Sequence, residues 1–191
     1  MVLNNVKGFD GPYEAPLKLP TRKVLKSWID YNGHMNVAYY TMAIDNSIDY
    51  FLEEILGIGE THAKTNDQGP FVVQANFSYL NEMVHKQKFF VQCSLINFDK
   101  KKMHLFLELI STNDNQIMAY SEQLLLNVNL KKRKTENYSK WCLKRLKQLK
   151  NDHKDIQFPK NVGLLAPSPF FLHGGAVMTK RNITRESYII T

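Results

Sequence analysis

The sequence predicts an α+β fold, in which one long helix is followed by an antiparallel sheet and then by a second helix. One long segment repeats its apolar side chains at helical spacing, four later segments read as strands between turns, and no helical pattern separates those strands. Strands that follow one another through short turns pair antiparallel. With 191 residues, of which 43% are hydrophobic, the chain suits one globular domain rather than a disordered chain.

The first elements lie before the sheet. A short strand is predicted at Arg22–Ile29, where apolar and polar residues mix after a leader that contains several prolines. The long helix is predicted at Val37–Leu56, with Asn36 as its N-cap and Gly57 as its end. Polar side chains recur four residues apart on this helix, at Thr41, Asp45, Asp49 and Glu53. This stripe predicts a solvated face.

The sheet follows a polar loop that is predicted at 58–68. The four predicted strands are Phe71–Leu80, Gln87–Phe98, Met103–Ser111 and Ile117–Val128. The second helix is predicted at Glu136–Asn151, with Tyr138, Cys142, Leu146 and Leu149 on its apolar face. One domain is therefore expected over residues 1–163. Residues 164–191 show no sustained period and are expected to form an irregular tail, although its apolar run Phe170–Leu172 could dock onto the sheet or cover a pocket.

The positive charge is concentrated in one segment. Lys131–Lys154 carries a net charge of +8 in a chain of net charge +7, so the remainder is close to neutral. An anionic partner is expected to meet this basic segment, although a run of lysines is more often a solvated helix face. Cys93 and Cys142 are far apart and have no paired histidine nearby, which predicts ordinary thiols and no metal site.

Two features predict a cytoplasmic location. The purely apolar runs are only a few residues long, so no membrane span is expected. Met1–Pro12 contains Asn4, Asn5, Lys7 and Asp10 where a signal peptide would need an apolar core.

The strongest candidate for chemistry is the junction between the first strand and the long helix. Its sequence, from Trp28 to Tyr40, is WIDYNGHMNVAYY, which places a carboxylate, two amides, an imidazole and four aromatic rings together. Free backbone N–H groups at a helix start could polarise a thioester carbonyl, and Asp30 could attack that carbonyl or activate a water. The alternative is structural: Asp30 or Asn32 caps the turn, and His34 makes a local hydrogen bond.

This junction resembles the hotdog-fold acyl-CoA thioesterases of the 4-hydroxybenzoyl-CoA thioesterase type, and most closely the branch that includes betainyl-CoA thioesterases of carnitine breakdown. Further matches are YLNE from Tyr79, KMHLF from Lys102 and YSEQLLL from Tyr120. The resemblance covers roughly residues 10–163. It implies an antiparallel sheet wrapped around the long helix, a homodimer or higher homo-oligomer, an active site shared between subunits, and no metal or redox cofactor.

The resemblance also implies roles for the junction residues. Asp30 matches the catalytic carboxylate, as nucleophile or general base, and the oxyanion donors match backbone N–H groups near Asn36 and Val37. Asn32, His34 and Asn36 match the rest of the motif and are expected to position the thioester and water. Leu164 stands where this branch has a basic residue, so CoA phosphates could depend instead on the basic segment.

Several other residues have two interpretations. Trp28, Tyr31, Tyr39 and Tyr40 could form a cage for a quaternary ammonium acyl group, or could simply pack in the core. Glu122 could reach the substrate from the partner subunit. Asp45 could be a second catalytic carboxylate, but a solvated helix face is the commoner meaning, and His104 is expected to be a satisfied strand histidine.

These observations together predict an acyl-CoA thioesterase that hydrolyses a short or medium acyl-CoA, with betainyl-CoA as a candidate, to the acid and CoA. One alternative is a hotdog protein that binds or hydrates acyl-CoA without hydrolysing it. Another is a protein that binds nucleic acid or another anion through residues 131–154. Nucleic acid is the weaker alternative, because few aromatic residues are interleaved with the basic ones.

Overall fold

The computed structural model describes residues 7–160 and 162. The strands are β1 (Leu17–Lys18), β2 (Arg22–Lys23), β3 (Gln68–Tyr79), β4 (Lys88–Phe98), β5 (Lys102–Ser111), β6 (Ile117–Asn129) and β7 (Lys134–Thr135). The helices are α1 (Val37–Tyr50), which continues as a π-helix (Phe51–Leu56), then α2 (Glu60–Asn66) and α3 (Lys140–Asp152), with a 3₁₀ turn at Lys26–Trp28.

All the strands form one antiparallel sheet. Its order is β1-β4-β5-β6-β3, with β2 also paired to β4 and β7 to β6. The predicted α+β class and the four long strands are confirmed, and the arrangement is that of a hotdog fold. Consecutive pairing is wrong at one place, because β3 pairs with β6 rather than with β4. The connection after β3 does not form a tight hairpin. It passes β6 and β5 to reach β4, which lies three places along the sheet from β3.

The long helical segment packs on the inner face of the sheet. Its buried residues Ile44, Ile48 and Phe51 belong to the same core cluster as Leu105 and Leu107 of β5. Both predicted ends are confirmed. Asn36 caps the helix through its side chain, and Gly57 ends it with a φ of 74°. A β-carbon at position 57 would also collide with the Lys7 carbonyl oxygen, because only 1.8 Å would separate the two atoms.

Three local predictions are wrong. Only Arg22–Lys23 of the first predicted strand pairs with the sheet, because the chain turns at Lys26–Trp28 to bury the Trp28 ring. Part of the predicted loop 58–68 is α2. Its sequence is mainly polar, has no buried residue and lacks the apolar spacing that would predict a helix. The second helix begins at Lys140, with Ser139 as its N-cap, and its apolar face is buried as predicted.

The two cysteines are free and buried, as predicted. Burial raises the pKa of the Cys93 and Cys142 thiols to about 12, so neither is a reactive thiolate near neutral pH. Within the described residues, no helix combines the length and apolar character that a membrane span needs.

Candidate active site

The junction before α1 is a tight turn closed by backbone hydrogen bonds. Asp30 N–H donates to the His34 carbonyl, at 3.1 Å, and Gly33 N–H donates to the Asp30 carbonyl, also at 3.1 Å. Ile29 and Met35 pair across the turn as an isolated bridge. Gly33 has a φ of 87°, which side chains with a β-carbon rarely adopt. The backbone therefore brings Asp30 back to the start of the helix.

Asn36 connects the Asp30 carboxylate to the helix. The Asn36 side-chain oxygen Oδ1 accepts a hydrogen bond from Ala38 N–H at 3.0 Å, while its Nδ2 donates to Asp30 Oδ2 at 3.4 Å. The other carboxylate oxygen, Oδ1 of Asp30, accepts from Asn32 N–H at 2.8 Å. The Asn36 amide thus caps the helix and bonds one oxygen of the Asp30 carboxylate, and the backbone of the turn bonds the other oxygen.

The two expected backbone donors differ. Asn36 N–H already donates to the Trp28 carbonyl at 2.9 Å, so it is not available to a substrate. In the described part of the chain, no acceptor takes Val37 N–H, and Val37 is 52% exposed. Because this group lies at the positive end of the α1 dipole, it can donate to a developing oxyanion.

Chemically, this arrangement combines a partly buried carboxylate with an open N–H donor a few residues away. The donor can polarise a carbonyl, and the carboxylate can attack the carbonyl carbon or take a proton from water. Asn32 contributes its backbone to the hold on Asp30. His34 is half-buried, and its ring Nδ1 lies 3.3 Å from the Met35 carbonyl oxygen, so its closest contact is local.

The four aromatic residues do not meet in one protomer. Trp28 and Tyr39 stack with ring centroids 5.5 Å apart, and Trp28 is buried. Tyr40 is buried and packs edge-on against Tyr79 at 5.5 Å. Tyr31 is 96% exposed. A cage within one subunit is therefore wrong, and core packing describes Trp28 and Tyr40 better.

Sequence reasoning missed the connection between β3 and β4 as part of this site. Met35 N–H donates to the Met83 carbonyl at 2.7 Å, and the Tyr40 hydroxyl donates to the Asn81 carbonyl at 3.0 Å. The Asn81 side chain in turn donates to the Ile117 carbonyl at 2.8 Å. The YLNE match was the available signal, but only the fold shows that this connection fastens the helix start to the sheet.

Glu122 is not brought to the junction within the protomer. It lies opposite Phe106 on the outer face of the sheet, the face away from α1, and is 2% exposed. Its Oε1 is 2.6 Å from His104 Nε2. His104 is thus a paired strand histidine, as expected, and the contribution of Glu122 to the partner subunit's site stays a prediction.

A cavity of about 620 Å³ lies at the far end of the helical segment, between it, α2 and the start of β3. Its charged lining consists of Asp49, Glu53, Glu54 and Glu60 against one arginine, Arg22, and it also contains Tyr50 and Phe71. Burial, followed by the nearby charges of Asp45 and Glu60, raises the pKa of Asp49. Asp49 lies thirteen positions after Asn36, which is roughly 20 Å along a helix.

The basic segment is less uniformly solvated than its sequence indicates. Arg145 is buried, donates to the Lys7 and Leu56 carbonyls, and bonds the Asp10 carboxylate. Lys144 also pairs with Asp10, at 3.0 Å, while Lys140 and Lys147 are exposed. Within the described residues, no group of three or more His, Cys, Asp or Glu is placed to hold a metal ion.

A family model described as the thioesterase-like superfamily matches residues 24–146, which is more than half of the chain. A betainyl-CoA thioesterase from Pseudomonas aeruginosa is 27% identical over 157 residues, which span 82% of this chain and 94% of that protein. An L-carnitine dehydrogenase/betainyl-CoA thioesterase from Rhizobium sp. is 24% identical over 148 residues, which span 78% of this chain and 29% of that longer protein.

Solved structures share the fold. A hypothetical protein from Staphylococcus aureus in complex with CoA superposes with a TM-score of 0.72 at 20% identity, covering 83% of this chain and 100% of that one. A candidate thioesterase from Pseudomonas putida KT2440 has a TM-score of 0.68 at 25% identity, covering 82% of this chain and 99% of that one.

Proposed function

Because the chain belongs to the thioesterase-like superfamily, we propose that it hydrolyses a short or medium acyl-CoA to the free acid and CoA, with Asp30 as the catalytic carboxylate. It is a thioester hydrolase. The observation that carries the assignment is that Asn36 holds the Asp30 carboxylate while the next backbone N–H, that of Val37, is open. The N–H stabilises the oxyanion while Asp30 acts as nucleophile or general base, and the CoA thiolate leaves.

The proposed acyl group is cationic, as in betainyl-CoA. The curated relatives that match this chain are betainyl-CoA thioesterases, alone or fused to a dehydrogenase. An acidic cavity that also contains Tyr50 and Phe71 offers both charge and aromatic faces to a quaternary ammonium group. A short acyl chain cannot span the roughly 20 Å of helix between Asn36, which holds Asp30, and Asp49, so the proposed cavity comes from another subunit.

A homodimer would bring the two parts together. β3 is the last strand in the sheet order, and Phe71, Val72 and Tyr79 on it are each more than a third exposed. If two copies of β3 pair antiparallel about a two-fold axis, the Tyr79 end of one strand meets the Gln68 end of the other. Since Tyr79 packs on Tyr40 near the helix start and Phe71 lines the cavity, each acidic cavity would then approach the partner's helix start.

The activity is tested by measuring free thiol released from a panel of acyl-CoAs. Betainyl-CoA should be hydrolysed at least tenfold more efficiently than its neutral isostere, tert-butylacetyl-CoA, because only the former carries the charge. Equal efficiencies would contradict the cationic substrate but leave thioesterase activity intact. CoA binding or hydration without thiol release would contradict hydrolysis itself.

The assembly is tested separately. Sedimentation should show a dimer, and a monomer with full activity would contradict the shared site. The two free cysteines are consistent with a reducing cytoplasm. Nucleic acid is not proposed as a partner, because Arg145 of the basic segment is buried against the chain's own Asp10 and few aromatic residues are interleaved with the basic ones.

A further inference from the structure

The four carboxylates that line the acidic cavity are not equally available to a cation. Glu53 and Glu54 both face Lys7, whose Nζ lies 3.1 Å from Glu53 Oε1 and 2.8 Å from Glu54 Oε1. Lys7 precedes the first strand and belongs to a different part of the chain from the helical segment that carries the two glutamates. The N-terminal part of the chain therefore supplies a positive charge beside the cavity.

The other two carboxylates differ from this pair. Glu60 pairs with Lys64 one turn along α2, but both side chains are more than 70% exposed, and such a surface pair contributes little. Within residues 7–160, no hydrogen bond or ion pair joins Asp49 to another side chain. Asp49 is thus the lining carboxylate most open to a ligand, while Lys7 occupies the two glutamates further along the helical segment.

Hydrogen bonds fix the backbone beneath the Lys7 side chain. The Lys7 carbonyl accepts from the buried guanidinium of Arg145 at 2.8 Å, and Phe9 N–H donates to the Ile55 carbonyl at 3.2 Å. The Asp10 carboxylate accepts from Arg145 Nε, also at 2.8 Å. Residues 7–10 are therefore held on the end of the helical segment.

A second glycine makes this contact close. Gly8 has a φ of 82°, and a β-carbon at this position would lie 2.6 Å from the Ile55 carbonyl oxygen. An ordinary surface lysine loses freedom when it forms an ion pair, which is one reason why such pairs contribute little. The Lys7 backbone is already fixed by other contacts, so its ion pair with two carboxylates has less freedom to lose.

Both partners keep their charges near neutral pH. The hydrogen bonds to Glu54 and Glu53 raise the pKa of Lys7. Burial acts to raise the pKa of Glu53, but hydrogen bonds from Thr61 and Lys7 outweigh it and lower that pKa. The ion pair is therefore present under the conditions in which a neutral-pH assay is run.

We propose that Lys7 is a built-in counter-ion that lowers the affinity of the acidic cavity for a cation and so helps to set the acyl-group specificity. This inference rests on the proposed function, because it takes a cationic acyl group as the ligand of the cavity. A quaternary ammonium group has no N–H to donate, so it cannot replace the hydrogen bonds that Lys7 makes with Glu53 and Glu54. Lys7 therefore stays in place and leaves Asp49 as the main partner of the ligand.

Kinetics test the counter-ion directly. Lys7→Gln removes the charge, so the KM for betainyl-CoA should fall about threefold while the KM for tert-butylacetyl-CoA hardly changes. Lys7→Arg keeps the charge and should match wild type. Lys18→Gln is the charge-matched control, because Lys18 is exposed on β1 and has no carboxylate partner within the described residues. If Lys7→Gln leaves the ratio of the two KM values at the wild-type value, the counter-ion role is overturned.

Choline binding provides a readout that does not require hydrolysis. In an NMR titration, choline should bind Lys7→Gln about threefold more tightly than wild type, and Lys18→Gln should bind it like wild type. No choline binding, or equal affinities in all variants, would overturn the counter-ion role while leaving acyl-CoA hydrolysis intact. Tighter choline binding by Lys7→Gln in a protein that releases no thiol would instead support the counter-ion role and contradict the proposed function.

Discussion

The start of α1 and the far end of the same helical segment are built in different ways. At the start, Asp30, Asn32 and Asn36 bond to one another and to the nearby backbone within a few residues of sequence. At the far end, Asp49 shares a cavity with residues of α2, β2 and β3 that are distant in the sequence.

Under the proposed function, this difference separates the chemistry from the choice of substrate. The Asp30 carboxylate is held by hydrogen bonds of short sequence separation, although the helix start is also bonded to the distant connection around Asn81 and Met83. The cavity at the far end depends on how the helix, α2 and the sheet edge pack together. Its lining can therefore change without altering the turn that holds Asp30. We expect substitutions at the start to affect kcat and substitutions at the far end to affect acyl-group selectivity.

The largest effect is expected at Asp30. Asp30→Asn keeps the size of the side chain but removes its charge, so kcat should fall by on the order of 100-fold or more. Asp45→Asn is the matched control, because Asp45 is an exposed carboxylate on α1 outside the turn, and it should stay within a few-fold of wild type. Thiol release and circular dichroism measure activity and folding, and the reverse ranking would move the chemistry to Asp45.

A smaller effect is expected at Asn36, whose two functions can be separated. Asn36→Asp keeps the oxygen that accepts from Ala38 N–H but replaces the donor to Asp30 by a carboxylate that repels it, so kcat should fall at least tenfold while the helix cap is kept. Asn36→Ala loses both contacts and should also cost about 1 kcal/mol of unfolding free energy. If Asn36→Asp retains wild-type kcat, Asn36 is only a helix cap.

At the far end, Asp49→Asn should raise the KM for betainyl-CoA several-fold, because it removes a charge that would face the cationic group. The KM for tert-butylacetyl-CoA should hardly change. Asp114→Asn, a charge-matched control in the exposed turn before β6, should change neither KM. Equal effects of Asp49→Asn on both substrates would show that the far end selects for shape rather than for charge.

A further comparison concerns α3, which carries exposed lysines. If Lys140, Lys144 and Lys147 contact CoA phosphates, replacing all three by Gln should raise the KM about threefold and flatten its salt dependence, with kcat unchanged. Replacing Lys100 and Lys101 by Gln, in the exposed turn before β5, controls for the loss of two of these three charges. An unchanged KM would assign the α3 lysines to a solvated face.

The smallest effect concerns the end of α3. His153 Nδ1 accepts from Leu95 N–H at 2.9 Å and Nε2 donates to the Glu14 carbonyl at 2.9 Å, so the buried ring is neutral. Burial lowers the pKa of His153. As the pH falls below about 6.5, the unfolded chain therefore binds a proton before the folded chain does. The free energy of unfolding then decreases by up to about 1.4 kcal/mol per pH unit. Urea unfolding of wild type and His153→Gln from pH 7.5 to 5 should show a shallower loss in the variant.

The sequence by itself determined the elements whose signals are local. Apolar spacing, Asn36 and Gly57 predicted the long helix and both of its ends, and the same kind of pattern predicted the buried face of α3. The residue types between Trp28 and Tyr40 predicted the place of the candidate site. These predictions hold because caps, turns and periodic faces depend on neighbours within a few residues.

Only the tertiary structure decided how distant parts meet. It showed that β3 pairs with β6, that the connection around Asn81 and Met83 fastens the helix start, and that Glu122 lies on the outer face. It also distinguished the engaged Asn36 N–H from the open Val37 N–H, two groups that are adjacent in sequence. Pairing partners, sheet faces and cavities depend on contacts between residues far apart in the chain, and one sequence carries no local signal for them.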